Sequence, residues 1–435
     1  MTSLLETAFA LFAGLMMTRL FKILGFKFPD VTAFLIAGVC VGPYILGRYN
    51  LGFSNAEELA KVGILSNIAL GFIAFDIGNE FSIGRLKTMG KAATFIGIFQ
   101  AVITTLLVDF VLVSLSLHLG QEVFPLPAAI TLGAIAAATA PAATLMVVRQ
   151  FKAKGAVTDL LLPIVALDDA AGLVIFAISI GAAQALIGGS ISIISIIINP
   201  FLEIIFSLAL GALMGAILTE IEKLFFSNTN RLSMTIAFIL MTIALSDLKF
   251  TFGEVKIGFS SLLVCMMLGT TFCNFSEYSH DIMARSEKWS APLYAVFFVL
   301  SGARLELSVL KYSPVIVIGI VYIITRCIGK YTGALWSSSI MNCSQNVKKY
   351  LGITLFPQAG VALGMVVNSQ VLGAEIGNLI RNIILFSVLI YELIGPMLTR
   401  ISLTKAGEIQ PALPEKKSRE RFKKMNSQFV LEKKP

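Results

Sequence analysis

Charge is scarce in this chain. Of its 435 residues only 14% are Asp, Glu, Lys or Arg, and 56% are hydrophobic, whereas soluble domains carry about 25% charged residues. Histidine occurs twice. His118 and His280 both fall at expected loops and read as surface residues, so no Ser–His–Asp set can be assembled. The five cysteines, Cys40, Cys265, Cys273, Cys327 and Cys343, lie in or beside apolar runs without paired spacing. They read as buried thiols, not as a disulfide framework or metal site. HExxH, CxxC, GxGxxG and Walker patterns are all missing. Nothing therefore suggests nucleotide hydrolysis or a cofactor, and no enzyme is expected. Alternation with period two is also missing, which excludes a membrane β-barrel.

What the chain has in abundance is long apolar runs. About 20 such residues suffice to span a bilayer. The expected fold is an all-α polytopic membrane protein with about thirteen transmembrane helices. They lie near 3–21, 30–47, 57–78, 89–117, 125–149, 158–187, 198–223, 231–247, 256–274, 287–304, 312–341, 347–371 and 375–402. The first run has no basic leader and no cleavage site, and reads as a span, not a signal peptide. Residues 403–435, with "EKKSRERFKK", form a basic tail expected to be disordered or to lie on the lipid surface. The net charge of +8 could point to nucleic acid, but its distribution points elsewhere. Arg19, Lys22, Lys27, Arg85, Lys87, Lys91, Arg149, Lys152, Lys154, Lys223, Arg231, Arg285, Lys288, Lys348 and Lys349 fall on one side with the tail. The other side has few. The positive-inside rule then puts the N-terminus outside and the C-terminus in the cytoplasm of a plasma (inner) membrane, with no nucleic-acid partner.

The two halves of the chain resemble each other. "FIAFDIGNEFSI" (72–83) closes the third expected helix and "FFVLSGARLELS" (297–308) the tenth. An odd offset of seven helices inverts one copy relative to the other. The expected organisation is a first repeat over 3–187, a linker helix at 198–223 and a second repeat over 231–402. "AAATAPAATLM" (136–146) in the fifth helix and "LFPQAGVALGM" (355–365) in the twelfth each carry a proline near mid-span. Proline removes a backbone hydrogen bond and clashes with the preceding turn. Interruptions at matching places in two halves are a pointer to a transporter's binding site. Pro141, Pro357, Gln358 and Gly360 are accordingly read as helix breaks.

"LPIVALDDAAGLVIF" (162–176) follows the first break and sets Asp168 beside Asp169. An ionisable residue at mid-bilayer costs roughly 2.5–3.5 kcal/mol by insertion scales and is functional by default. Adjacent carboxylates should titrate as a coupled unit. They also suit a small hard cation, which prefers oxygen ligands. Neighbours on a helix point about 100° apart, so one carboxylate can hold an ion pair while the other faces a cavity. In "YIITRCIGKYTG" (322–333) Arg326 and Lys330 are spaced i,i+4 on one face. Buried lysine can lose its proton, whereas arginine effectively cannot. Lys330 is therefore the expected proton-linked partner of Asp168, and Arg326 a structural charge. Glu80 is a candidate counter-charge for Arg326, a role Asp76 could share. Thr139, at the first break, is a candidate oxygen ligand; Thr144 more readily bonds its own i−4 carbonyl.

"TAPAAT" and "FPQAGVALG", with "ALDDA" after the first and "GK" before the second, resemble the bacterial monovalent cation/proton antiporters, in the electrogenic branch that carries a double aspartate. The resemblance spans about residues 3–402. It implies two six-helix inverted repeats, a homodimer, and a core with two broken helices crossing near the midplane. It further implies that Asp169 binds cation and proton, that Asp168 pairs with Lys330, and that Thr139 is the polar residue of the first break. Exchange of Na+ or Li+, or of K+, for protons would follow, with no cofactor. Arg326 departs from the usual apolar residue at its position and competes for Asp168. An alternative is a sodium-coupled organic-anion symporter of similar fold, which would require more cationic groups in the cavity. A pore would want polar rings on many helices, whereas this chain concentrates its charge on two or three.

Overall fold

The computed structural model describes residues 3–25, 28–49, 51–78, 81–187, 199–248, 250–252, 255–305 and 313–409. Its helices are α1 (Ser3–Ile23), α2 (Asp30–Val41), α3 (Ala56–Lys61), α4 (Gly63–Gly78), α5 (Ile83–Leu119), α6 (Leu126–Ile135), α7 (Pro141–Gln150), α8 (Ala156–Leu186), α9 (Asn199–Glu222), α10 (Asn228–Ser246), α11 (Ser261–Phe275), α12 (Ser279–Ala303), α13 (Ser313–Ile340), α14 (Gln345–Thr354), α15 (Gly360–Asn368) and α16 (Ala374–Lys405). A small antiparallel hairpin pairs β1 (Phe250–Phe252) with β2 (Val255–Ile257), Phe250 opposite Ile257.

Among the described residues, eight helices are long and apolar enough to cross a membrane, and α4, α6, α11 and the Gly360–Leu372 segment are shorter apolar helices. The outer faces of α1, α5 and α9 expose Phe12, Phe110 and Ile205, surface that suits lipid. Apart from the small hairpin, the described residues form a helical, polytopic membrane protein, as the apolar runs require. Helices satisfy their own backbone groups, which lipid cannot do.

Among the boundaries that differ from the sequence reading, three are the most informative. The run at 256–274 becomes helix only from Ser261, because the hairpin takes its start and the Ser260 side chain caps the helix at the Leu263 N–H. α12 begins at Ser279, eight residues earlier than the apolar stretch suggests, through a charged first segment with Asp281, Arg285, Glu287 and Lys288. α16 runs to Lys405, and Leu403, Ala406 and Ile409 are buried. The first residues of the expected tail thus pack into the fold.

Contacts in the two parts of the chain follow a similar pattern. α2 crosses α12 while α4 crosses α11, and α5 packs on α6 and α8 as α13 packs on α14 and α16; α5 and α13 meet each other. The two crossings rest on glycines. A Cβ on Gly302 would lie 2.1 Å from the Leu35 carbonyl oxygen, and one on Gly78 2.2 Å from that of Met266. Only hydrogen fits in such gaps. The mid-segment glycines of "FIAFDIG" and "FFVLSG" therefore do the same work in each half.

Candidate functional site

Two helix pairs stop short of each other near the centre of the fold. α6 ends at Ile135 and α7 restarts at Pro141; α14 ends at Thr354 and α15 restarts at Gly360. Proline is tolerated at a helix start, where its missing N–H costs nothing. The break itself does not follow from propensity, since Ala136, Ala137 and Ala138 are good helix formers. Side chains that capture the freed carbonyls hold it open. Arg326 donates from Nε to Ala136 O at 2.9 Å and from Nη2 to Ala138 O at 2.7 Å. Its Nη1 reaches across to Phe356 O in the second break at 2.7 Å. Lys330 Nζ takes Ala137 O. Gln358 Nε2 donates to Ile135 O at 2.9 Å and to the Tyr322 hydroxyl at 3.0 Å. The Ala140 N–H donates to Pro357 O at 2.8 Å, so the two breaks are bonded directly.

Asp168 enters this crossing from α8. Its Oδ2 accepts from Lys330 Nζ at 2.8 Å and from Thr139 Oγ1 at 2.6 Å, and its Oδ1 accepts from Gln100 Nε2. Asp168, Lys330, Arg326 and Gln358 are fully buried, and Thr139 nearly so. Gln100 arrives because α13 presents Gly329 and Gly333 on either side of Lys330. A Cβ on these glycines would lie 2.9 Å from the Cα atoms of Thr104 and Gln100 respectively. The two helix backbones touch there, as small residues allow in membrane helices.

The electrostatics follow from helix ends. The C-termini of α6 and α14 each carry about half a negative charge. With the Asp168 carboxylate they balance the charges of Arg326 and Lys330. Tyr391 lies beneath the guanidinium, whose Cζ is 4.6 Å from the ring centroid.

The arrangement corrects one expectation. Asp76 does not neutralise Arg326. It binds Arg149 Nη1 and the Tyr294 hydroxyl, and Arg149 Nε lies 3.7 Å from Glu287. Arg326 is occupied instead by backbone carbonyls, which no sequence pattern advertises. Glu80 lies outside the described residues. Asp169 continues α8, but its side chain lies outside the described residues. Thr144 bonds its own i−4 carbonyl, Ala140 O, at 3.2 Å. Gln100, Tyr322 and Tyr391 went unremarked in the sequence, and Arg149 counted only toward the orientation. A glutamine within "IGIFQAVITT" is the one signal that could have singled out Gln100.

Beside the crossing lies a cavity of about 410 Å³, lined by Asn67, Asp247, Ala140, Pro141, Gly360 and Glu392 among others. A family model described as "Sodium/hydrogen exchanger, transmembrane" matches residues 7–404. The chain belongs to this sodium/hydrogen exchanger family. This family is one of transporters, and the chain stands among them. A distant relative is the ammonium/H(+) antiporter subunit AmhT of Alkalihalophilus pseudofirmus, 22% identical over 336 residues, covering 74% of this chain and 78% of the relative. Two structures of the sodium proton antiporter MjNhaP1 from Methanocaldococcus jannaschii share the exchanger fold. One, at pH 8, superposes with a TM-score of 0.62 at 19% identity over 94% of this chain and 96% of that one. The other gives 0.69 at 18% identity over 93% and 98%.

Proposed function

We propose that this exchanger-family chain exchanges a monovalent cation (Na+ or Li+, or K+) for protons by alternating access, with Asp168 and Asp169 shared between the two. One observation supports this reading above the rest. A buried carboxylate, Asp168, holds a buried lysine, Lys330, at the point where two broken helices cross. A proton gained by Asp168 or lost by Lys330 breaks the pair, so the pair couples protonation to the arrangement of both breaks. Asp169 stands about 100° around α8 from Asp168, and its assigned role is to meet the cation with Thr139. The ammonium transport named for the distant relative adds NH4+ to the cations to be tried.

The same proposal takes 3–187 and 231–402 as inverted repeats joined by 198–223. It takes the N-terminus as external and the C-terminus as cytoplasmic in the cell's inner membrane, and the working unit as a homodimer. On that orientation the cavity lies toward Asp247 and the exterior. The symporter reading gains nothing from the site. Arg326 and Lys330, the cations an organic anion would need, are engaged by carbonyls and by Asp168.

The test uses proteoliposomes with an imposed pH gradient and a pH-sensitive dye, given Na+, Li+, K+, NH4+ or choline. A metal cation or ammonium should collapse the gradient with wild type and not with Asp169→Asn or Asp168→Asn. The half-maximal cation concentration should fall as pH rises, because protons compete for the same carboxylates. Normal transport by Asp169→Asn, or no response to any cation at any pH, overturns the reading.

A further inference from the structure

The breaks have two kinds of end, and only one kind is covered by cations. Arg326 and Lys330 sit on the C-terminal ends of α6 and α14. The N-terminal ends of α7 and α15 face the cavity through Ala140, Pro141, Ala359 and Gly360. Each such end carries about half a positive charge and disfavours a cation. The same cavity wall holds Glu392 of α16, whose side chain is 7% exposed. Among the described residues nothing donates to it or pairs with it. It stands one turn before Gly395, and a Cβ on Gly395 would meet Pro357 of the second break at 3.0–3.1 Å. Glu392 is thus fixed beside the breaks by direct helix contact and lines the cavity.

We infer that Glu392 forms an accessory cation site inside this cavity, occupied before the ion reaches the aspartate pair. This rests on the proposed cation exchange and adds a second position to it. The volume of about 410 Å³ has room for roughly a dozen waters, so an ion can arrive hydrated and be held through water. The Glu392 carboxylate supplies the anionic ligand, and Asn67, which lines the same cavity, offers an amide oxygen. Glu392 is the buried carboxylate of this cavity and Asp247 is exposed, so the site is matched to a monovalent cation.

The experiment measures cation-dependent exchange in proteoliposomes for wild type, Glu392→Gln, Glu392→Asp and Asp168→Asn, using Na+, Li+, K+ and NH4+ chlorides. The same proteins in detergent are titrated with the salts while the unfolding midpoint is followed. Loss of one charged ligand of moderate strength corresponds to about a tenfold change in an equilibrium constant. Glu392→Gln should raise the apparent KM for the cation about tenfold, keep the maximal rate within about twofold, and shift the salt titration to higher concentration by the same factor. Glu392→Asp should recover part of the affinity. An unchanged KM and salt titration in both variants, with wild type active, overturns the accessory site and leaves the exchange reading intact. A lower unfolding midpoint with unchanged KM would mean that Glu392 only offsets the helix ends, and also overturns it. Failure of wild type to exchange any of the four cations removes the exchange reading and the accessory site together.

Discussion

Arg326→Lys is the substitution that most directly probes how the crossing is held. Arginine donates to three carbonyls in two different breaks at 2.7–2.9 Å. A hydrogen bond to a charged group is worth about 1.5–3 kcal/mol net. Lysine keeps the charge, but its single ammonium cannot span both breaks as the planar fork does. One or two of the three bonds are lost, a cost of about 2–5 kcal/mol. Arg326→Gln should cost more, because the helix ends then lose their cation as well. Unfolding of purified protein in detergent, followed by the fluorescence of Trp289 and Trp336, reads the change. Tyr391→Phe serves as a control that keeps the ring under residue 326 while deleting the hydroxyl donated to Ile323 O at 2.9 Å; it should cost about 1 kcal/mol. If Arg326→Lys unfolds with wild type, charge alone suffices and the fork has no role in joining the breaks.

Two further outcomes follow from the same geometry. Lys330→Met leaves the Asp168 carboxylate buried without its cation and should lower stability by about 3–5 kcal/mol, whereas Lys330→Met with Asp168→Asn should recover most of that; additive losses in the unfolding cycle would show that the two side chains are not coupled. Glu408→Ala should cost about 1–2 kcal/mol, since Glu408 accepts from Val157 N–H at 2.7 Å, Thr158 N–H at 2.8 Å and Thr158 Oγ1 at 2.7 Å at the start of the aspartate-bearing helix; an unfolding midpoint unchanged from wild type would show that this cap does not steady α8.

The spans and the charged residues stood out in the sequence for one reason: lipid is an intolerant solvent. An apolar run must be long enough to cross it, and an aspartate inside such a run is conspicuous because it is costly. Asp168, Lys330 and Arg326 were visible on those grounds, as were the prolines at the breaks. The partner of Arg326 was not. Its acceptors are the carbonyls of Ala136, Ala138 and Phe356, which become available only when the helices break, and an alanine leaves no mark of a carbonyl's fate. Arg149 was hidden differently. A basic residue at the end of a span looks like topology, and nothing local distinguishes one that folds back onto Asp76. The hairpin at 250–257 was lost because its strands are apolar enough to merge with the following run.

On the proposed alternating access, the Arg149 cluster bears on which side the cavity opens. Arg149 ends α7, Asp76 lies on α4, and Tyr294 and Glu287 lie on α12. The same three helices wall the cavity, through Ala140–Ala143, Asn67 and Leu70, and Phe297 and Phe298. At 1.5 Å per residue, the cluster sits about 10 Å further along α4 and α7 than the cavity wall. The helices are therefore parted at one level and tied at the next, as a carrier open to one side requires. Untying them should favour the state open to the other side. Asp76→Asn keeps the shape and removes one charge of the tie. If the tie is worth about 1.4 kcal/mol net, the balance between the two states moves about tenfold. On a cysteine-free background, Ala143→Cys reports the change through labelling by a membrane-impermeant maleimide in vesicles of each orientation. Asp76→Asn should slow labelling from the side on which the cavity now opens and speed it from the opposite side. Equal labelling with and without the substitution would mean that the cluster steadies the fold without setting which side the site faces.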